Sequence, residues 1–139
     1  MGRDRLRPYA LKAGAGWTYN YGIDFTIKVG ERGQGRRVAL IEYTTRSGEE
    51  PPDHTHDTED EIFYVLEGEL RFRCGDEAFD VKDGGVVFLP SGIEHGYQIR
   101  SDGDVRLLVV TAPVDATATG GWGGFIGDIE TQGERQSEV

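Results

Sequence analysis

The sequence GEEPPDHTHDTEDEIFYVLEG spans residues 48–68 and holds two of the three histidines of the chain. His54 and His56 are two residues apart, so on an extended strand both rings point to the same face. Glu61 follows five residues after His56, an odd spacing that would place it on the opposite face of an unbroken strand. The polar segment 57–60 (DTED) is therefore predicted to turn, so that Glu61 can join the two histidines.

The third histidine lies at the end of a second segment. His95 follows the turn sequence Pro90-Ser91-Gly92, which would aim it at the space that the first two histidines face. Three imidazoles and one carboxylate suit Fe(II), Mn(II), Ni(II), Co(II) or Zn(II), whereas Mg²⁺ and Ca²⁺ prefer shells made only of oxygen. The sequence thus predicts one divalent transition metal, with four protein ligands. These ligands are His54, His56, Glu61 and His95.

Plainer interpretations of the same residues exist. A lone histidine in a β-protein is usually a surface residue or a hydrogen-bonded core residue, although the spacing of these three argues against that interpretation. Glu61 could be a solvated turn residue, as Glu59 and Asp60 beside it are expected to be. The metal hypothesis therefore depends on whether Glu61 and the histidines come together.

Alternation of apolar and polar residues predicts many short strands around this segment. The pattern is clearest at 17–29, where every odd residue is apolar or aromatic and Gly22 is expected to bend or bulge one long strand. Phe63 and Val65 share the parity of Glu61 and should line the same interior. Further strands are predicted at 38–45, 62–66, 70–74, 78–82, 86–89, 95–100 and 105–111. Short strands separated by turns are typical of an antiparallel sandwich or barrel.

A chain of 139 residues is long enough for one domain but too short for two independent cores. Within that domain we distinguish N-terminal strands at 1–37, a barrel core at 38–112 and a C-terminal segment at 113–139. The apolar stretch 121–126 (GWGGFI) is expected to dock on the barrel or on a second chain. Residues 131–139 look like a polar, frayed tail.

Charge and composition exclude several classes of partner. Fifteen basic against 25 acidic side chains give a formal net charge of −10, and such a field repels nucleic acid and anionic membrane surfaces. Cys74 is the only cysteine, so neither an intramolecular disulfide nor a cysteine-based zinc site can form. The N-terminus lacks the apolar run of a signal peptide, and no stretch approaches 18 apolar residues. A cytoplasmic protein is expected.

The spacing of glycines, histidines and prolines in these two segments resembles the two sequence motifs of the cupin family. The first motif is matched at every fixed position by Gly48, His54, His56, Glu61 and Gly68. The second is matched by Gly84, Pro90, Gly92 and His95, but the Asn of the family is replaced by Ile99. That Asn is not a metal ligand in the family, so the departure leaves the predicted site intact. The resemblance implies an all-β fold, a small antiparallel jelly-roll-like barrel with the metal inside it toward one mouth.

The resemblance also implies a function, a metal-dependent dioxygenase similar to the quercetin-type cupins. Such an enzyme acts on a small enolisable or phenolic substrate, which with O₂ or water can take the one or two open positions of a five- or six-coordinate metal. Glu61 is the candidate catalytic residue, because its carboxylate can accept the proton that the substrate loses on binding. Two alternatives stay open: a non-redox isomerase or cyclase, and a small-ligand-binding module without turnover.

The remaining expectations concern partners and the substrate pocket. A small molecule is the expected substrate, and a homodimer is expected because cupins commonly dimerise. Five aromatic residues could wall the pocket or belong to the core. They are Trp17, Tyr19, Phe72, Phe88 and Tyr97.

Overall fold

The computed structural model describes residues 7–31, 37–113, 129–130 and 132–137 of the chain. Most of these residues belong to ten β-strands. In chain order the strands are β1 Trp17–Tyr21, β2 Ile23–Val29, β3 Ala39–Thr45, β4 Asp60–Glu67, β5 Glu69–Cys74, β6 Glu77–Lys82, β7 Val86–Leu89, β8 His95–Ile99, β9 Val105–Ala112 and β10 Glu134–Ser137. Among these residues, no helix is both long and apolar enough to cross a membrane.

The strands form two antiparallel sheets, which confirms the predicted all-β barrel fold. One sheet has seven strands in the order β10-β1-β2-β3-β9-β4-β7, and the other has three in the order β6-β5-β8. The strands predicted from 38 onward are present with ends that differ by two residues at most. Period-two alternation located most of them, because those strands have one face on the interior and one toward solvent. β6 is the exception, since none of its residues is buried.

The predicted single strand at 17–29 is instead a hairpin of β1 and β2 that turns at Gly22. Tyr21 pairs with Ile23 across this turn, and Gly22 adopts φ 84°, a conformation that side chains with a Cβ rarely take. Directly paired residues of an antiparallel hairpin face the same side. The alternation of odd residues therefore continues through the turn, and the sequence pattern could not distinguish a hairpin from one bent strand.

The C-terminal residues differ from the predicted polar tail. β10 pairs with β1 along the edge of the large sheet, and Ile129 just before it is fully buried in the core. The guanidinium of Arg135 lies 3.2 Å from the buried carboxylate of Glu31. This strand is held by pairing and charge rather than by an apolar face, so it carries no alternation signal. The stretch 121–126 lies outside the described residues.

The interior between the sheets changes character along the strands. Within the paired strands β4 and β9, Val65 lies opposite Leu107 and Phe63 opposite Val109, and all four side chains are buried and apolar. The next inward pair in the same direction is Glu61 with Thr111, which is buried and polar. Buried polar groups need partners, so this end of the barrel is where a functional site is expected.

Candidate metal centre

His54 and His95 are brought together by the backbone. Each donates its N–H to the carbonyl oxygen of the other, with N–O distances of 2.9 Å in both directions. His95 begins β8, while His54 lies in the loop before β4. This reciprocal pairing is why residues 41 positions apart in the sequence can place their rings side by side, with ring centroids 4.7 Å apart.

The predicted turn at 57–60 is present and delivers Glu61 to the histidines. The chain bends at 57–58 and enters β4 at Asp60. Two contacts hold this bend on the 90–92 turn: Gly92 N–H donates to the carbonyl of His56 at 2.8 Å, and Ser91 N–H donates to the Asp60 carboxylate at 2.9 Å. The two halves of the site are thus joined on both sides of the bend.

The structure brings all four predicted ligands into one group, which we call the metal-site cluster: His54, His56, Glu61 and His95. One potential ligand atom from each lies within 4.8 Å of the others. Glu61 Oε1 is 2.8 Å from His95 Nε2 and 3.2 Å from His56 Nε2. Glu61 is 1% exposed, so the solvated-turn interpretation of this residue is excluded.

The Nδ1 atom of each imidazole faces away from the centre of the cluster. In His54 it lies 2.9 Å from the carbonyl oxygen of Pro52, and in His95 it lies 3.2 Å from that of Ile93. His56 Nδ1 instead lies 3.3 Å from a carboxylate oxygen of Glu59. An acceptor behind Nδ1 favours the tautomer with its free lone pair on Nε2, which is how metal-binding histidines are oriented.

The inner nitrogens satisfy a direct test of fit to a metal. Within the described part of the chain, the Nε2 atoms of His56 and His95 are buried and form no hydrogen bond of acceptable geometry. Buried polar atoms are normally hydrogen-bonded, and these converge on a carboxylate oxygen. Nitrogen lone pairs and a carboxylate oxygen aimed at one point fit a divalent transition metal.

The electrostatics of His56 also favour a cation. Burial alone lowers the pKa of His56, because it disfavours the charged ring. The carboxylate of Glu59 beside Nδ1 and the charges of Glu61 and Asp57 outweigh burial and raise that pKa. The same negative charges stabilise a bound metal cation.

The structure corrects the expectation that Glu59 is a solvated turn residue. Its side chain is buried, with 4% of the residue exposed, and it accepts a hydrogen bond from Thr111 Oγ1 at 3.4 Å. Strand parity does not locate Glu59, because this residue precedes the start of β4 at Asp60. Asp60 is exposed, as expected.

The metal-site cluster opens onto a cavity of about 740 Å³. Its other walls are mostly apolar and aromatic, and include Ile23, Phe25, Tyr43, Phe63, Leu89 and Tyr97. Of the five aromatic residues considered from the sequence, Tyr97 lines this cavity. Phe72 is fully buried in the core, and Phe88 is 55% exposed on the outer surface. Trp17 and Tyr19 are likewise not among the lining residues.

Two tyrosines meet at this cavity. The hydroxyl oxygens of Tyr43 and Tyr97 are 3.0 Å apart. Burial raises the pKa of both phenols, to about 12 for Tyr97 and well above the ordinary value for Tyr43. Both hydroxyl groups therefore stay protonated at neutral pH.

Comparison with known proteins identifies a family and several relatives. A family model described as a cupin domain matches residues 42–111. A Streptomyces coelicolor protein is 30% identical over 81 residues, which are 58% of this chain and 75% of that one. Quercetin 2,3-dioxygenase of Bacillus subtilis is 27% identical over 95 residues, which are 68% of this chain but 28% of that enzyme. A crystal structure from Thermus thermophilus is 33% identical with a TM-score of 0.55, covering 63% of this chain and 84% of that one.

Proposed function

This chain belongs to the cupin domain family, and on that premise we propose that it is a metal-dependent dioxygenase acting on a small enolisable or phenolic substrate. The observation that carries this proposal is the opening of the metal-site cluster onto a cavity with apolar and aromatic walls. The match to an enzyme named quercetin 2,3-dioxygenase supports the same chemistry. Membership of the family would not be enough without this site, because one fold hosts unrelated reactions.

The residues proposed to hold the metal are the four of the metal-site cluster. Their donors suit Fe(II), Mn(II), Ni(II), Co(II) or Zn(II). The imidazole rings are already oriented by Pro52, Glu59 and Ile93, so metal binding requires little rearrangement. When bound, the metal supplies Lewis acidity and, if it is redox-active, electron transfer toward O₂.

Glu61 is the proposed proton acceptor. An enol or phenol becomes a far better electron donor toward O₂ once its hydroxyl proton has left. Glu61 lines the cavity and carries two oxygens, so one can accept this proton while the other stays on the cluster side. The histidines are less suited, because their Nδ1 atoms face acceptors behind them and their Nε2 atoms are the proposed metal ligands.

The cavity walls supply the remaining requirements. In a dioxygenation both atoms of O₂ enter the substrate, so O₂ is the oxidant and no other is needed. The side chains of Phe25, Phe63 and Leu89 offer an apolar surface for an aromatic substrate body. Exclusion of water by such walls strengthens the electrostatic interactions at Glu61.

An oxygen electrode tests the proposal directly. Protein with its own metal is mixed with an enolic substrate such as a flavonol, with and without O₂, and both O₂ uptake and substrate loss are followed. A dioxygenase consumes one O₂ per substrate and is inactive without O₂. Turnover of substrate under anaerobic conditions would instead indicate an isomerase or cyclase. A ligand-induced rise in melting temperature without turnover would indicate a binding module.

Substitution of Glu61→Gln separates metal binding from proton transfer. The amide has nearly the same shape but little basicity, so this variant is expected to keep much of its metal and lose roughly a hundredfold or more in turnover. Glu67→Gln is the matched control, because it makes the same change at an exposed end of the same strand. Full metal content with unchanged turnover in Glu61→Gln would rule out the proposed base.

A further inference from the structure

Tyr43 and Tyr97 join the two sheets across the cavity. Tyr43 lies on β3 of the large sheet and Tyr97 on β8 of the small sheet, and each is 7% exposed. Their hydroxyl oxygens are 3.0 Å apart, and both residues line the cavity onto which the metal-site cluster opens. The pair thus forms a polar spot on an otherwise largely apolar wall.

The hydrogen-bonding capacity of this pair is only partly used. Two phenol groups carry two O–H donors, but the single contact between their oxygens uses one donor, whichever residue supplies it. Within the part of the chain that the structure describes, no other side chain or backbone group accepts the second donor. A buried donor without an acceptor is costly, so an oxygen of a ligand in the cavity would be stabilised there.

We propose that Tyr43 and Tyr97 form a substrate-positioning site, which donates a hydrogen bond to one neutral acceptor oxygen, such as the carbonyl oxygen of an aromatic ketone. The choice of substrate class rests on the proposed function. The hydrogen bond itself rests only on the unused O–H donor of the two tyrosines. These residues position and select the ligand and take no part in bond making or breaking.

The packing of both rings fixes where the hydroxyl groups lie. Tyr43 packs against Phe25 at a centroid distance of 5.2 Å. Tyr97 packs against Phe63 at 5.9 Å and Phe72 at 5.4 Å. Rings held by such contacts keep their place when the hydroxyl is removed. Tyr→Phe substitutions therefore delete the donors with little change to the wall.

The charges around the cavity select a neutral ligand oxygen over a carboxylate. Glu49 lines the cavity, and the charges of Glu50 and Glu49 act on the Tyr97 hydroxyl. A ligand carboxylate at the tyrosine pair would meet this negative charge, whereas a carbonyl oxygen can accept a hydrogen bond without that repulsion. The apolar walls favour an aromatic body attached to this oxygen.

The test compares two probes of similar shape that differ by a carbonyl oxygen, acetophenone and ethylbenzene. Dissociation constants are measured by NMR titration with zinc-loaded protein, for wild type, Tyr43→Phe, Tyr97→Phe and the double variant. Each single variant keeps one hydroxyl that is released from the pair and can turn to the ligand. We expect the preference for acetophenone over ethylbenzene to change by no more than about twofold in each single variant, and to fall by roughly tenfold in the double variant.

The ratio of the two affinities distinguishes positioning from mere packing. If the tyrosines only fill space, both probes lose affinity together and the ratio stays constant, which would overturn the proposal. Absence of saturable acetophenone binding to wild type would overturn it as well. This measurement requires neither O₂ nor turnover of a substrate. A chain that fails the oxygen-electrode test can therefore still pass this one, and the two proposals fail separately.

Discussion

The carboxylate of Glu59 sets His56 apart from the other two histidines of the metal-site cluster. His54 and His95 each have a backbone carbonyl behind Nδ1, whereas His56 has a buried negative charge at 3.3 Å. A carboxylate in this position orients the ring and makes Nε2 a stronger metal donor. We therefore expect His56 to contribute more to metal affinity than His54 or His95 does.

We predict that Glu59→Gln weakens metal binding by about tenfold while leaving the fold intact, because it removes the charge behind His56 and keeps the side-chain shape. Competition with a chromophoric chelator measures the change. Glu67→Gln, an exposed site on β4, is the control and should bind metal as wild type does. Equal affinity in the Glu59→Gln variant would show that this contact has no part in metal binding.

At the residue scale, the sequence predicts which four side chains come together but not which residues hold them in place. The grouping of His54, His56, Glu61 and His95 follows from their spacing, because strand parity and a required turn determine which side chains can meet. Glu59 was missed because its exposure depends on how tightly the 57–60 bend packs on Thr111 of β9, a long-range contact. The sequence did not predict a role for Tyr43 for the same reason, because its hydrogen-bond partner Tyr97 is 54 residues away in the chain.

At the scale of secondary-structure elements, hydrogen bonding by Glu50 connects the loop before His54 to β8. The Glu50 carboxylate accepts hydrogen bonds from the N–H of Ile99 at 3.0 Å and from the N–H of Gly48 at 2.7 Å. The side chain of Ile99, which replaces the Asn of the family motif, is 4% exposed and belongs to the core. The loop that precedes the metal-site cluster is therefore held here by the backbone of residue 99 rather than by its side chain.

This loop contact makes stability depend on pH. The backbone hydrogen bond from Ile99 lowers the pKa of Glu50 below its ordinary 4.5. A lowered folded-state pKa contributes stability above the unfolded value, and that stability is lost as the pH falls through the folded value. Glu50→Gln should thus lower the melting temperature by roughly 2 to 5 °C at pH 7, and the difference from wild type should shrink below pH 4.5.

Thermal unfolding at several pH values measures this effect. Glu94→Gln, an exposed position in the 90–95 segment, serves as the control with no shift expected. A constant difference between Glu50→Gln and wild type across the same pH range would contradict the assignment.

The C-terminal strand is the element where sequence and structure differ most. Arg135 of β10 lies over the ring of Tyr19 at 5.7 Å and contacts the same Glu31 carboxylate that accepts the Tyr19 hydroxyl at 2.5 Å. Alternation predicted the strands with one apolar face, but β10 pairs at a sheet edge through polar residues. Periodicity cannot identify such a strand, because neither of its faces is apolar.

Removal of the Arg135 charge should destabilise the barrel. We expect Arg135→Met to lower the free energy of unfolding by about 2 kcal/mol, less than for a fully buried pair because Arg135 is partly exposed. Urea unfolding measures this change in the free energy of unfolding. Truncation after Gly133 removes the whole of β10 and should lower the free energy of unfolding at least as much. Arg46→Met breaks an exposed ion pair with Asp104 and should change stability little. Equal effects of the two substitutions would show that β10 adds nothing through this charge.

We predict that the whole molecule self-associates through the outer face of β4 and β7, the last two strands of the large sheet. Ile62, Tyr64, Val86 and Phe88 are between 40% and 57% exposed and lie side by side on β4 and the edge strand β7. An unpaired edge beside an apolar face can meet its own copy about a two-fold axis. The expected homodimer should appear by sedimentation equilibrium, and Phe88→Glu should convert it to monomer.

Phe79→Glu provides the control for this prediction, because Phe79 is 40% exposed on β6 of the other sheet. A wild-type monomer, or a dimer that survives Phe88→Glu, would show that this face is not the interface.

One metal ion per chain at the metal-site cluster is the central requirement of the proposed function. Elemental analysis of protein purified without a metal-affinity tag measures this directly, in wild type and in the His56→Ala and His95→Ala variants. Each substitution removes one of only three nitrogen donors, so we predict about one divalent transition metal per wild-type chain and well below one in either variant. Full stoichiometry and unchanged affinity in both variants would contradict the assignment of the site.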